Sequence, residues 1–302
     1  MITANETVPT ILNGIRYFTA PVGYVLSGRE GRVEIPWDGH TPIPLLEEDY
    51  STADAGGAPD YDMVGRGMFQ ALRLNPECAF ALKYAAVLRE AYPHIVSELG
   101  SQIIMLEAKE VDTPYLDRKI SLLRIMALLD PENAGINVEI ARTFSDKGSR
   151  ISSLHLAVDS WFKAEKYLKK ALLLEPNNHH AAYVYGEALY VLGRYEQAAE
   201  VWQNALAQFE VAEQRRVESR IAAIFSGRLP LVPPVDYLTA ISVAVEEHHA
   251  GHNDQAAAII EDVLSDPVFS QQFPVNEIYY LLGTCYQQMG MVAEAAEAFK
   301  WS

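Results

Sequence analysis

From Tyr61 to the end of the chain, apolar residues recur three and four positions apart in runs of about 12 to 17 residues, each closed by a short polar or proline-containing break. This spacing puts one apolar face on each of a series of helices. They are predicted over 61–74, 78–91, 94–110, 115–129, 133–147, 160–174, 179–192, 195–209, 211–226, 236–250, 253–265, 276–289 and 292–302. Runs of that length with breaks that short are expected of helices joined in antiparallel hairpins, with no strand between them.

Residues 1–59 follow another pattern. RYFTAPVGYVLSG at 16–28 and RVEIP at 32–36 are rich in aromatic and β-branched residues, with a turn signal from Gly28 to Gly31, so the segment is predicted to be irregular or a short β-hairpin. The stretch TPIPLLEEDYSTADAGGAP at 41–59 has the prolines, small residues and acids of a linker. Tyr17, Phe18, Tyr24, Val25 and Ile35 lie in a piece too short to bury them, because an isolated hairpin is marginal in water. They need a surface, either as a cap on helix 61–74 or inside a groove of the helical array. The short tether GGAP at 56–59 favours the cap.

Three helix ends share one punctuation: ALRLNPECAFAL at 71–82, ALLDPENAGI at 127–136 and ALLLEPNNHHAA at 171–182. Proline cannot continue a helix but is tolerated at or before the first turn of the next, so each motif hinges two helices. Residues 183–205 and 280–302 share a further pattern. Gly186, Gly193, Ala198 and Trp202 in the first correspond in spacing to Gly283, Gly290, Ala295 and Phe299 in the second. A glycine within a helix costs about 1 kcal/mol relative to alanine, so close approach of the partner helix to Gly186 and Gly283 has to offset the loss. Ala198 and Ala295 would supply the matching small surface, with Trp202, Tyr286 and Phe299 filling the space beside it. Gly193 and Gly290 fall between helices, where glycine makes a left-handed cap.

On these residues the chain resembles the tetratricopeptide repeat family, whose pattern is W-x2-L-G-x2-Y…A-x3-F…P over 34 residues. Tyr279, Leu282, Gly283, Tyr286, Ala295 and Phe299 fit it up to the final proline, with Tyr279 in place of tryptophan. The 179–210 unit keeps Gly186, Ala198 and Trp202, and has Ala182, Tyr185, Leu189 and Glu210 at the other places. Pro131 and Pro176 are 45 residues apart, and the excess over one period fits an insertion at 149–159. The implied fold is an all-α solenoid of antiparallel helix hairpins, a tetratricopeptide-like superhelix. Its divisions would be 1–59, repeats with insertions over 60–210, an extra helix and proline-rich break over 211–235, and repeats over 236–302. The last repeat stops inside its second helix, which reads as truncation of a longer chain.

Composition narrows the chemistry. With 24 basic and 40 acidic residues the formal charge is −16, which disfavours nucleic acid and anionic membrane and favours a neutral or basic partner. Cys78 and Cys285 have no metal-ligand spacing and read as reduced apolar residues. The start has no basic and apolar leader pattern, and no apolar run is long enough to span a bilayer, so a cytoplasmic setting is expected. In HHAGH at 248–252, His248 and His252 are one turn apart and would need a carboxylate to hold a metal. Gly251 is expected to end the helix there, and histidines near a helix C-terminus are favoured without any ligand. His179 and His180 open a helix, GREGR at 28–32 lacks the lysine and following helix of a phosphate loop, and Glu47-Glu48 reads as solvated surface. No metal, cofactor or catalytic group is expected.

The resemblance implies a binding scaffold whose first helices line a groove for a peptide or partner segment. The helix face opposite Gly186 selects His180, Tyr183, Glu187 and Tyr190; the corresponding faces select Ile241, Val245 and His248, and Glu277, Tyr280, Thr284 and Gln287. The same residues could instead face solvent or a neighbouring repeat. The set is aromatic and polar with little positive charge, which disfavours a receptor for carboxylate tails. Self-association is left open. The alternative is a regulatory or recruiting arm of a larger enzyme whose catalytic domain lies beyond residue 302.

Overall fold

The computed structural model describes residues 9–28, 34–56, 58–107, 113–273 and 275–302. The chain forms two compact units, residues 1–132 and 133–302.

The first unit opens with two small antiparallel sheets. Strand β1 (Ile15–Phe18) would be paired with its neighbour in a simple hairpin, but β2 (Val25–Ser27) pairs instead with β3 (Glu34–Pro36), setting Leu26 opposite Ile35. The expected turn at Gly28–Gly31 and the GREGR motif fall largely on 29–33, outside the described residues. Strand β1 pairs with β4 (Ile43–Leu46), Ile15 opposite Leu46 and Phe18 opposite Ile43. The linker expected over 41–59 is therefore corrected: it holds β4 and then helix α1 (Glu47–Gly56). Prolines are tolerated in a strand paired on one side, and Ile43 and Leu45 are wholly buried. The acids Glu47, Glu48 and Asp49 form the first turn of α1, where the helix dipole favours negative charge.

Helices α2 (Tyr61–Leu74), α3 (Ala81–Ala91), α4 (Ile95–Glu107) and α5 (Thr113–Leu129) follow, close to their predicted bounds. Asp60 caps α2 by accepting from the Met63 N–H at 2.8 Å. Strand β4 lies along α2, where Gly67 leaves room for the Pro44 carbonyl; a methyl group there would overlap it. Tyr84 donates to the Pro42 carbonyl at 2.9 Å and Tyr24 to that of Pro59 at 3.0 Å. The N-terminal segment thus sits on α2 and α3 as a cap. Ile35 is buried within it, Tyr17, Phe18 and Tyr24 are half-buried, and Val25 is exposed.

The second unit is a stack of helix hairpins. Helices α6 (Ala134–Ser149) and α7 (Ala157–Leu174), α8 (His179–Val191) and α9 (Tyr195–Ala205), α11 (Pro234–His249) and α12 (Asn253–Leu264), and α14 (Asn276–Gln288) and α15 (Val292–Phe299) pack in pairs. Helix α10 (Val211–Phe225) packs on α9, and a one-turn helix, α13 (Pro267–Gln272), precedes α14. The proline hinges work with asparagine caps: Asn133 accepts from Ile136 N–H at 3.2 Å and Asn178 from Ala181 N–H at 2.8 Å. The insertion over 149–159 forms a 3-10 turn, Ile151–Leu156, that packs against α11, and α7 already begins at Ala157.

Gly193 and Gly290 adopt φ of 75° and 76° between helices. At each, the following N–H reaches five residues back, Arg194 to the Leu189 carbonyl and Met291 to the Tyr286 carbonyl, which closes the helix end.

Candidate partner-binding site

Gly186 and Gly283 do admit the second helix of their pair, but the group that touches them is the aromatic, not the alanine. A methyl group at Gly186 would overlap the Trp202 indole, and one at Gly283 would meet the Phe299 ring at 2.5 Å. Trp202 is fully buried and donates through Nε1 to the Tyr183 carbonyl at 3.1 Å, while Ala198 and Ala295 are buried nearby in the helix pairs. Leu282 is buried as expected of its place. Tyr279 stacks obliquely near Trp301 at 6.3 Å, and Tyr286 turns away from Gly283 to donate to Glu261 of α12.

The α8 stripe is brought together differently from the expectation. Tyr190 follows Gly186 by four residues, so the two share a face. Tyr190 is consequently 0% exposed, its ring 6.0 Å from Trp202, with its hydroxyl donating to Gln272 of α13. It belongs to the core with Leu189, Trp202, Phe209 and Val217, not to an open groove. Tyr183, Glu187 and His180 are half-buried. Side chains of α10 reach two of them: Arg216 donates to the Tyr183 hydroxyl at 3.3 Å, and Arg220 pairs with Glu187 while lying over the Tyr190 ring at 4.8 Å. Beside this stripe, α10 contributes two arginines, one turn apart on one face. The signal was RRVESR at 215–220, which puts Arg216 and Arg220 at i, i+4. Burial, then the Glu187 charge, raises the Tyr183 phenol above its ordinary value. Burial, then Arg142, whose Nη2 is 3.4 Å from the ring, lowers His180.

On α11, Ile241 is 1% exposed because the 3-10 turn of the insertion packs there, so it too is no free groove residue. It forms part of the wall of a cleft of about 530 Å³ whose apolar lining also includes Leu154, Leu238, Phe269, Phe273 and Ile278. Glu277 stands at the rim with Asp146, Arg150 and Asn276. The structure therefore unites Ile241 of one predicted stripe with Glu277 of another. Tyr280 is 59% exposed and lies 5.7 Å from Phe299, Thr284 is half-buried and bonded to the Leu281 carbonyl at 2.7 Å, and Gln287 is exposed. These three do not line the cleft.

Val245 and His248 are half-buried. His248 Nδ1 is 2.7 Å from Asn253 Oδ1 and 3.5 Å from Cys285 Sγ, whereas His252 Nδ1 is 2.7 Å from Glu247 Oε2. The two histidines have separate partners because Gly251, with φ 85°, turns the chain between them. Burial raises the Cys285 thiol, so it is not poised as a thiolate. His179 is exposed, and Cys78 and Cys285 are both buried and reduced. Among the described residues, no three His, Cys, Asp or Glu side chains are grouped to hold a metal, and no helix is long and apolar enough to cross a membrane.

A residue that carries no sequence motif organises the end of the cleft. Asp266 is 1% exposed and accepts from Leu231 N–H at 2.7 Å, Tyr237 Oη–H at 2.7 Å, Val268 N–H at 2.8 Å and Phe269 N–H at 3.2 Å. It ties the proline-rich loop to α11 and starts α13, which delivers Phe269 and Phe273 to the cleft. Burial by itself would raise its carboxyl; the bonds outweigh this and hold it below the ordinary value.

The tetratricopeptide repeat family matches residues 162–221, from within α7 to within α10. No curated protein matches the chain. Among solved structures it is similar to a tetratricopeptide repeat protein from Parabacteroides merdae ATCC 43184, at 17% identity over 84% of this chain and 89% of that one, with TM-score 0.35. It is also similar to MamA protein, at 16% identity over 69% of this chain and 90% of that one, with TM-score 0.31. The chain has a tetratricopeptide-like repeat fold, predominantly helical, preceded by a short β segment. Such a fold supports a general role in protein interaction.

Proposed function

We propose that the protein is a non-catalytic interaction scaffold and that its second unit takes up a partner segment in the cleft between the 3-10 turn, α11 and α14. The supporting observation is the meeting of Ile241 and Glu277 around an apolar cavity of about 530 Å³, a size and character common to binding sites. Phe273 and Ile278 would receive an apolar anchor, and the rim acid Glu277 would flank it. A neutral or basic segment fits that rim and the −16 charge of the whole chain; Arg150 limits how basic it would be at one end.

Peptide-display selection against the full chain tests this reading. Selected peptides are expected to carry a large apolar residue and to lose at least about tenfold in affinity, roughly 1.4 kcal/mol, on Phe273→Asp. Retention of affinity by Phe273→Asp and Glu277→Arg, in proteins with unchanged circular dichroism, would place binding elsewhere and refute it.

A further inference from the structure

A second hollow of the same unit, a trough of about 500 Å³, lies on another side of α11. Leu238 and Ile241 face the cleft, whereas Asp236, Tyr237 and Ala240 face the trough, which α12 and the proline-rich loop at Leu231 and Val232 complete. Its floor is Tyr237 and Val263, 7% and 1% exposed. Its outer edge is Leu231 and Val232, 82% and 40% exposed. The Leu231 side chain stays in water although its backbone N–H is fixed to the buried Asp266 at 2.7 Å. Two aliphatic side chains held in water beside an apolar floor form a surface that gains by being covered.

Charge selects the cover. Asp236 and Asp262 line the trough and are exposed. Among the described residues of the lining, and along the whole of α11 and α12, there is no lysine or arginine. Arg228, in the loop before the trough, is turned to Ser226, with Nε 2.9 Å from Oγ. Asp262 stands in the last turn of α12, which has no basic residue, so its charge adds to the negative end of the helix dipole. Asp266 lies behind Tyr237 and contributes too: its four donors are neutral, so hydrogen bonds satisfy its charge without cancelling it.

We propose that this trough seats a lysine side chain, with an adjoining aliphatic residue, from a partner segment. The lysine stem would cover Tyr237 and Val263, the ammonium would meet Asp236 and Asp262, and the aliphatic neighbour would rest on Leu231 and Val232. Arginine is the poorer fit, since the ring of the lining, Tyr237, is 7% exposed and offers no open face to a planar group. An acidic segment would meet like charge. The trough shares no lining residue with the cleft at Ile241, and the proposal does not depend on that cleft being occupied.

The probe is the capped peptide acetyl-Gly-Leu-Lys-Gly-amide, added to the isotopically labelled full chain and followed by amide NMR shifts. It is expected to bind with Kd on the order of 1 mM and to shift amides within 231–240 and 258–265. The same peptide with Nε-acetyl-lysine keeps the stem without the charge and should bind at least about fivefold more weakly, and added salt should weaken the lysine peptide. Serine in place of the peptide's leucine should cost at least about threefold. The variant Asp236→Asn/Asp262→Asn should weaken the lysine peptide at least about fivefold. Both residues are exposed, so that variant should keep its fold, which circular dichroism checks. Equal binding of either altered peptide, undiminished binding by the double variant, shifts confined to 276–278 of the cleft, or no shift at about 10 mM peptide would each overturn the proposal.

Discussion

The Trp202 indole lies directly on the backbone of Gly186, its Nε1 bonded to the carbonyl of Tyr183 three residues earlier. Alanine at 186 would gain about 1 kcal/mol of helix propensity but would push a fully buried ring into a packed core, which typically costs about 1–3 kcal/mol. Gly186→Leu should lie at or beyond the upper end of that range. Thermal unfolding of both variants checks this, and an unchanged melting temperature for Gly186→Leu would refute the helix pairing. Introducing Trp202→Phe should relieve part of the Gly186→Ala penalty, because the overlapping atoms belong to the indole.

Two glycines of the first unit are expected to respond with opposite signs. At Gly67 the obstacle is the backbone carbonyl of Pro44, which cannot rotate away, so Gly67→Ala should destabilise by about 3 kcal/mol and loosen β4. At Gly100, inside α4, nothing lies within 4 Å of the place a methyl group would take, and Gly100→Ala should stabilise by about 0.5–1 kcal/mol. Denaturant midpoints, with hydrogen exchange at residues 43–46, separate the two outcomes.

The Asp266–Tyr237 pair sets two pH limits. Asp266 is depressed in the folded state, so its contribution is present above the unfolded value near 3.9 and is lost as pH falls through the folded one. Burial, then the bond to Asp266, pushes Tyr237 up to about 12. Its contribution is complete below the unfolded value near 10 and is lost as pH rises from there toward 12. Asp266→Asn should cost about 1–3 kcal/mol at neutral pH and flatten the acid limb, whereas Tyr237→Phe should flatten the alkaline limb. Stability curves between pH 2 and 12 give both answers.

Arg220→Lys tests whether shape or charge holds α10 to α8. Lysine keeps the charge opposite Glu187 but loses the planar group lying over Tyr190 and Trp202, at 4.8 and 5.9 Å. A loss of about 1–2 kcal/mol is expected. Equivalence of lysine and arginine would show that the stacking contributes nothing.

Helix positions from α2 onward were legible because apolar periodicity and proline hinges are local properties, and the caps at Asn133, Asn178, Gly193 and Gly290 are written in single residues. Strand β4 was not, because Pro42 and Pro44 carry the same signature in a linker and in a strand paired on one side. The placement of Tyr190 was legible in principle: four residues from Gly186, it had to share that glycine's face. Ile241 was not, since its cover comes from an insertion about 85 residues earlier in the chain. Asp266 offered only the helix-start cue Asp-Pro; its bonds to Leu231 and Tyr237 are tertiary. The pair Gly65 and Gly67 in α2 was an available signal, two costly residues in one helix, and it marks where Tyr92 and Pro44 come closest.

The 3-10 turn Ile151–Leu156 has a consequence for how the second unit comes apart. In an ideal repeat array each hairpin touches only its neighbours, so unfolding proceeds by fraying, one repeat after another. Here residues 151–156 rest on α11, bridging past α8, α9 and α10. Peeling α11 away would therefore uncover the insertion beside α6 and α7 at the same moment, so residues 134–249 are expected to come apart in one cooperative step instead of a ladder of partial ones.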